Sequence, residues 1–449
     1  MIARRLPGLT RPSRSLAAVA AVAVLAAPVA SSPATAGAGA AFQPVSYRGY
    51  SFEVPSSWLV VRLGSSETCV RFDVSVVYLG NPAADQACPS LLIGTTQALL
   101  IQPGSPSSAR SSVEDAVARE ITVTAPGIKV TAKFDTDPGQ VRQILASASL
   151  PKAVIHAPDP VAATAQTADP RDGAVAATVP ARSSNYQGLG FDTCAAPSAA
   201  YMSDWLRKSP YRAIGVYIGG SDEACAQPNL TRKWLADQAA AGWHFMPMYV
   251  GPQAEFGELG RHPGHQGHAA AKDAVAQAER LGFAAGTPIY YDMEAYPPGG
   301  TGKALRFLTA WTSWLHTLGY SSGIYSSSSS AIYALAHQYK THRYALPDVV
   351  FDALWNGRAN TADPVLAASE WADHRRVHQF AGNVAQKYGG GSINVDEDYL
   401  NVELSGSDAV PGAAVEDAGG TADVLYPETA GTLGHLRYGP GWARVHLVP

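Results

Sequence analysis

From residue 185 to residue 404 the chain alternates between two kinds of segment, and that rhythm restricts its fold more than any other feature. GLGFD precedes SAAYMSDWLRKS, AIGVYIGG precedes NLTRKWLADQAAAG, and HFMPMYVG precedes HQGHAAAKDAVAQAERLG. TPIYYDME is followed by GKALRFLTAWTSWLHTLG, and SSGIYSS by SSAIYALAHQYK. VVFDALWNG leads to a short helical piece expected near 362–373, and VHQFAG and INVDEDYL close the series. The first member of each pair is short and rich in β-branched or aromatic residues, whereas the second repeats its apolar residues three and four apart. Strands separated by helix-length crossovers run parallel. Eight such strands in about 220 residues predict a closed (β/α)8 TIM-like barrel over 185–404. A doubly wound open sheet is the alternative, but it normally carries a Gly-rich phosphate loop after its first strand, and GFDTCAAPS is not one.

Several strand-like segments end on acids: Asp192 in GLGFD, Asp292 and Glu294 in PIYYDMEAY, and Asp396 in INVDEDYL. Like charges repel and each prefers water, so a chain that gathers carboxylates is building a site. Residues two apart on a strand share a face, which sets Asp292 beside Glu294. In a parallel barrel all four acids fall at the carboxyl-end mouth, where barrel enzymes carry their active sites. A carboxylate about 6 Å from Glu294, at an effective dielectric near 20, costs its ionised form about 2.8 kcal/mol. That carries a Glu from about 4.3 to above 6 and suits it to general acid work. Paired carboxyls of this kind cleave glycosidic bonds. A lone Asp at a strand end is often a helix cap, and divalent cation binding is a further use for such a cluster.

Aromatics near the same mouth offer stacking surfaces for a sugar: Tyr217, Tyr249, Tyr290, Tyr291, Tyr296, Tyr325 and Trp355. Alternation directs Tyr290 inward with Asp292 and Tyr291 outward to the helices. Trp311 and Trp314 read as helix packing. His262, His265 and His268 lie in a Gly-rich stretch leading into a helix, without a second ligand set, so neither metal nor cofactor is called for.

Residues 42–150 read as a small α+β domain: four strand-like segments, a capped helix over SSVEDAVARE and a strand pair over ITVTAPGIKVTAKF, with no catalytic constellation. Residues 151–184 are a flexible linker, and 405–449 a linker and C-terminal tail without assigned elements. Residues 1–36 join a basic start, an apolar run of about 15 and the small residues Ala34-Thr35-Ala36, which is a signal peptide. The run is shorter than the ~20 residues of a membrane span. Arg4-Arg5 leaves the general and twin-arginine export routes open. The mature protein is therefore expected outside the membrane, secreted or wall-associated, as a monomer. Its net charge of −4 carries no basic stripe suited to nucleic acid. Four cysteines in an exported chain suggest two disulfides, and the domain layout favours Cys69–Cys88 and Cys194–Cys225.

GFD on the first strand, D-x-E on the fourth, ALW closing the sixth, HQF on the seventh and VDxD on the last resemble family 25 glycoside hydrolases, the lysozyme-type muramidases. The sequence is more similar still to a sister group of secreted bacterial proteins with a glycoside-hydrolase-like domain. That pattern is echoed by GFDTCAAPS, Cys225 with QPNLT, PMYVGPQ and GTPIYYDME. The resemblance covers 185–404. It implies Glu294 as the acid, Asp292 as its partner, Asp192 and Asp396 as the rest of the pocket, and Gln379 and Trp355 on the substrate side. It implies cleavage between N-acetylmuramic acid and N-acetylglucosamine in peptidoglycan. The other reading is a glycan-binding or envelope-interaction protein that keeps the barrel and acidic cleft without turnover.

Overall fold

The computed structural model describes residues 41–64, 70–82, 93–156, 178–341 and 343–404, with four strand segments between 413 and 447. The signal peptide, most of the linker, and the pair Cys69 and Cys88 lie outside the described residues.

The N-terminal part opens with a hairpin of β1 (Phe42–Tyr47) and β2 (Tyr50–Pro55). A seven-stranded mixed sheet follows, made of β3 (Leu59–Arg62), β4 (Val76–Leu79), β5 (Ala98–Pro103), β6 (Ser111–Asp115), β7 (Glu120–Ala125), β8 (Ile128–Lys133) and β9 (Val154–His156). Its spatial order is β3-β4-β5-β8-β7-β6-β9. Helix α1 (Gly139–Ser147) buries Val141, Ile144 and Leu145 against it, three to four residues apart on one stripe. No helix forms over SSVEDAVARE. Asp115 Oδ1 instead accepts the N–H groups of Val117 and Ala118, both at 2.9 Å, and turns β6 into β7. Alternation then turns Glu114 inward, where Arg142 of α1 donates to it at 2.8 Å.

The second part is a closed barrel of β10 (Tyr186–Asp192), β11 (Ala213–Gly219), β12 (His244–Tyr249), β13 (Pro288–Asp292), β14 (Ser321–Ser327), β15 (Val349–Ala353), β16 (Arg375–Tyr388) and β17 (Gly391–Val402). Helices α2 (Ala199–Lys208), α3 (Arg232–Ala241), α4 (Pro263–Leu281), α5 (Thr301–Thr317) and α6 (Ala331–Tyr339) follow the first five strands in turn. Local chemistry marks their ends. Ser198 and Thr231 cap α2 and α3 by accepting from Tyr201 and Trp234 N–H groups, and Gly242 and Gly282 end α3 and α4 in the left-handed conformation.

This is not the expected (β/α)8 arrangement. Strands β10 to β16 run parallel, but β17 is antiparallel to both β16 and β10, and no helix follows β15 or β16 among the described residues. The reason is connection length. Tyr388 pairs with Gly391, leaving Gly389-Gly390 alone to join β16 to β17, and a parallel crossover needs a dozen residues or more. Gly389 holds φ +71, the backbone a tight hairpin demands. The helical piece expected near 362–373 is a run of turns in which Asp363 Oδ1 accepts the N–H groups of Val365 and Leu366.

Two apolar layers hold the barrel. Inside it lie Met246, Met248, Tyr290, Phe351, Val377 and Leu400. Between strands and helices lie Phe191, Trp205, Trp243, Phe245, Tyr291 and Trp311. Large side chains so fully buried contribute about 1.5–3 kcal/mol each. Beyond the barrel, β18 (Ala413–Glu416), β19 (Ala422–Pro427), β20 (Leu433–Tyr438) and β21 (Arg444–Leu447) form an antiparallel sheet in chain order, where the sequence suggested no elements.

Candidate active site

The strand period of two builds the site. Along β10, Phe191 turns to the helices and Asp192 to the lumen. Space for Asp192 comes from Gly215 on the neighbouring β11, where an added Cβ would stand 2.5 Å from the Asp192 Cβ. Strand β17, being antiparallel, sets Asp396 directly opposite Asp192 in the ladder. On β13, Tyr290 and Asp292 face inward while Tyr291 faces the helices. Glu294 lies two residues past the end of β13, partly open to solvent at the mouth.

Gln379 of β16, 1% exposed, ties the far side of the site together. Its Nε2 donates to Asp192 Oδ2 at 2.8 Å and, more weakly, to Asp396 Oδ2 at 3.4 Å. Its Oε1 accepts from the Tyr325 hydroxyl at 3.1 Å and from the Trp355 indole at 2.9 Å. The Asn383 N–H also donates to Asp396 Oδ1. Trp355 is half exposed, at 51%. Its ring lies over the backbone of Gly382, where a Cβ would stand 2.0 Å from it, so the indole is a fixed surface beside the acids. Tyr217 donates to Asp292 Oδ2 at 3.3 Å, while Asp292 Oδ1 is buried without a partner.

Burial and mutual repulsion favour the neutral forms of Glu294, Asp292 and Asp192. Glu294 is pushed up to about 7, by burial first and by the Asp396 charge next. Asp292 is raised well above the usual carboxylate range by burial, then by Glu294 and Asp192. Asp192 is raised by burial and by Asp396, against the opposing hydrogen bond from Gln379. Among the described residues none of these three is paired with a basic side chain. The neighbour that matters for Glu294 is thus Asp396, from another strand, and burial outweighs it.

The structure brings Glu294, Asp292, Asp192, Asp396, Tyr217, Gln379 and Trp355 to one mouth. Tyr290 lies in the lumen beneath, fully buried, so no substrate meets it without rearrangement. Tyr249 is elsewhere: it packs among Tyr291 and Trp311, and its hydroxyl donates to Asp273 of α4 at 2.8 Å. Two residues escaped the sequence reading. Asp398, fully buried with neither oxygen partnered, shares Asp396's face through the same two-residue spacing and is raised by burial, Asp192 and Asp396. Gln253, in the loop after β12, bonds the backbone on both sides of Met293, and no periodicity marks it. Cys194 and Cys225 are joined, Cα atoms 5.8 Å apart, stapling the loops after β10 and β11. His265 and His268 lie within α4 rather than in a loop, and His268 stacks on Trp314. The described residues hold no group of His, Cys, Asp and Glu suited to a metal.

Comparison with known proteins gives a family-model match over part of the chain and distant structural likenesses. Residues 203–400 match the model of the Rv2525c-like, glycoside hydrolase-like domain. No curated protein matches the chain. A solved structure of an uncharacterised B. stearothermophilus protein matches at TM-score 0.36 and 18% identity, over 47% of this chain and 95% of its own. The modular autolysin LytC from Streptococcus pneumoniae matches at TM-score 0.32 and 13% identity, over 48% and 47%. The catalytic domain of endolysin ply40 from bacteriophage P40 of Listeria monocytogenes matches at TM-score 0.29 and 13% identity, over 50% and 96%. Likeness this distant says nothing of activity. The family match does reach the strands that carry Asp292, Gln379 and Asp396.

Proposed function

We propose that this chain is an exported glycoside hydrolase that cleaves an O-glycosidic bond in peptidoglycan or a related cell-wall glycan, with Glu294 as general acid. The observation that carries the reading is a partly exposed Glu294 held at about 7, at the rim of a mouth whose other carboxyls are buried. A glycan lies along the mouth with one ring on the Trp355 indole. Protonated Glu294 gives its proton to the leaving oxygen as the bond to the anomeric carbon breaks. Positive charge then grows on the ring. Asp396, which accepts N–H groups from Asn383 and Gln379, faces that charge, and Asp192 stands beside it. A water completes the exchange, and Glu294, now ionised, removes its proton. Export rests on the signal-peptide pattern and the small-residue site at 34–36. No helix among the described residues is long and apolar enough to cross a membrane.

A second reading, a glycan-binding protein without turnover, draws support from the near-complete burial of Asp192, Asp292 and Asp396, none more than 1% exposed. Incubation with purified peptidoglycan separates the two. Hydrolysis releases soluble fragments with new reducing ends, and Glu294→Gln still sediments with the wall but releases none. Sedimentation without fragments from the wild type supports the binder, and neither sedimentation nor release removes both.

A further inference from the structure

The segment that carries Glu294 has left its strand. The β13–β14 ladder ends at Asp292, and Met293 N–H makes the last bond across it, to Tyr325 O at 3.0 Å. Beyond that point the backbone depends on Gln253. Its Nε2 donates to Asp292 O at 2.8 Å and to Gly251 O at 2.9 Å, and its Oε1 accepts the Glu294 N–H at 2.9 Å. Both amide hydrogens and the oxygen are used, so a flipped amide would set donor against donor and carbonyl against carbonyl. Gln253 is fully buried. Its own N–H is held by Glu258 Oε2 at 2.8 Å, and the other oxygen of Glu258 faces Arg119 at 3.9 Å.

Arg119 belongs to the turn between β6 and β7, in the N-terminal sheet, and it also lies 3.7 Å from the buried Asp222. The loops that lead into β4 and β5 of that sheet grip the loop after β11. Phe72 N–H donates to Ala224 O at 2.8 Å and Gly94 N–H to Asp222 O at 3.1 Å, beside the Cys194–Cys225 staple. We propose that Gln253 is the positioning residue of the Asp292–Glu294 segment, and that the N-terminal sheet braces it through Arg119 and Glu258. That gives residues 42–156 a role at a site they do not line. The inference rests on Glu294 being the acid.

Two measurements on the full mature chain test it together. The first is steady-state release of reducing ends from peptidoglycan. Gln253→Ala should lower kcat about 10²-fold with KM little changed, the loss expected from a reacting group displaced by about 1 Å. Measured as a ratio to wild type at each pH, Gln253→Glu should lose activity at high pH and recover it as pH falls, because only a protonated carboxyl can donate to Asp292 O while accepting from the Glu294 N–H. Arg119→Ala should lower kcat roughly three- to tenfold, as suits a contact two steps removed. The second is NMR titration of the Glu294 carboxyl, faced by Asp396, Asp292, Asp192, Glu255, Tyr217 and Tyr325. It sits at about 7 in the wild type and should move in both Ala variants. Wild-type kcat and titration in Gln253→Ala overturn the clamp, and the same result in Arg119→Ala overturns the brace. If Gln253→Ala does not fold, pH rescue of Gln253→Glu decides, and its absence counts against the clamp. A wild type that releases nothing removes the hydrolase reading alone, and the titration then still decides the bracing.

Discussion

Replacing Glu294 by Gln should stabilise this protein at high pH and leave it unchanged at low pH. The folded chain holds the Glu294 proton up to about 7, while the unfolded chain releases it near 4.5. Between those values the native state binds more protons than the unfolded state, so this group's contribution to stability falls as pH rises through the interval. It is fully present below 4.5 and gone above about 7. At about 1.4 kcal/mol per pH unit the interval amounts to roughly 3 kcal/mol, an upper value because the carboxyl is partly open to water. Gln keeps the shape without the charge. Urea unfolding of wild type and Glu294→Gln, followed by tryptophan fluorescence at pH 4, 6 and 8, reads the difference. The variant should match wild type at pH 4 and exceed it by up to about 3 kcal/mol at pH 8. A difference that does not change with pH, or that shrinks as pH rises, would refute the claim that burial holds this acid neutral. A gain at pH 8 would be the stability given up to keep a functional acid in place.

The rate of glycan cleavage should fall tenfold per pH unit above about 7, as Glu294 loses its proton, and a limb near 4.5 would remove the burial argument. Paired Cys194→Ser and Cys225→Ser substitutions open a link spanning 31 residues and should cost about 3–4 kcal/mol in urea unfolding; an unchanged midpoint would contradict that. Tyr290→Phe removes a buried hydroxyl without a partner, so stability should hold or rise by about 1 kcal/mol, and a loss larger than that would reveal a partner.

How much of this was legible depends on the distance over which each signal acts. The alternation from 185 onward gave the first five strand–helix units and the inward face of Asp192 and Asp292, because a period of two or 3.6 is written locally, whereas Glu294 was read as part of a strand that in fact ends at Asp292. It misled at the end. Strand β17 was counted as one more parallel strand, although the KYGGGS stretch is itself a hairpin signal and leaves no room for a crossover. SSVEDAVARE carries a helix-like spacing, but Asp115 spends its carboxylate on a turn, and β6 gains pairing on both sides. Tyr249 was grouped with Tyr217 and Tyr290 because all lie near strand ends. One residue of parity sends its ring outward, and only the register reveals that. Asp398 was readable from the VDED spacing. Gln253 closes the PMYVGPQ motif, but its role was not readable there, since its partners are backbone groups of a distant segment, and no pattern of side chains records a backbone that has left its ladder.

The most direct test of Glu294 as the acid is the initial rate of reducing-end release from purified peptidoglycan at pH 6, wild type against Glu294→Gln at matched wall binding. Release by the wild type with a loss of about 10³-fold or more in the variant is the expected result. A variant as active as the wild type would contradict the assignment.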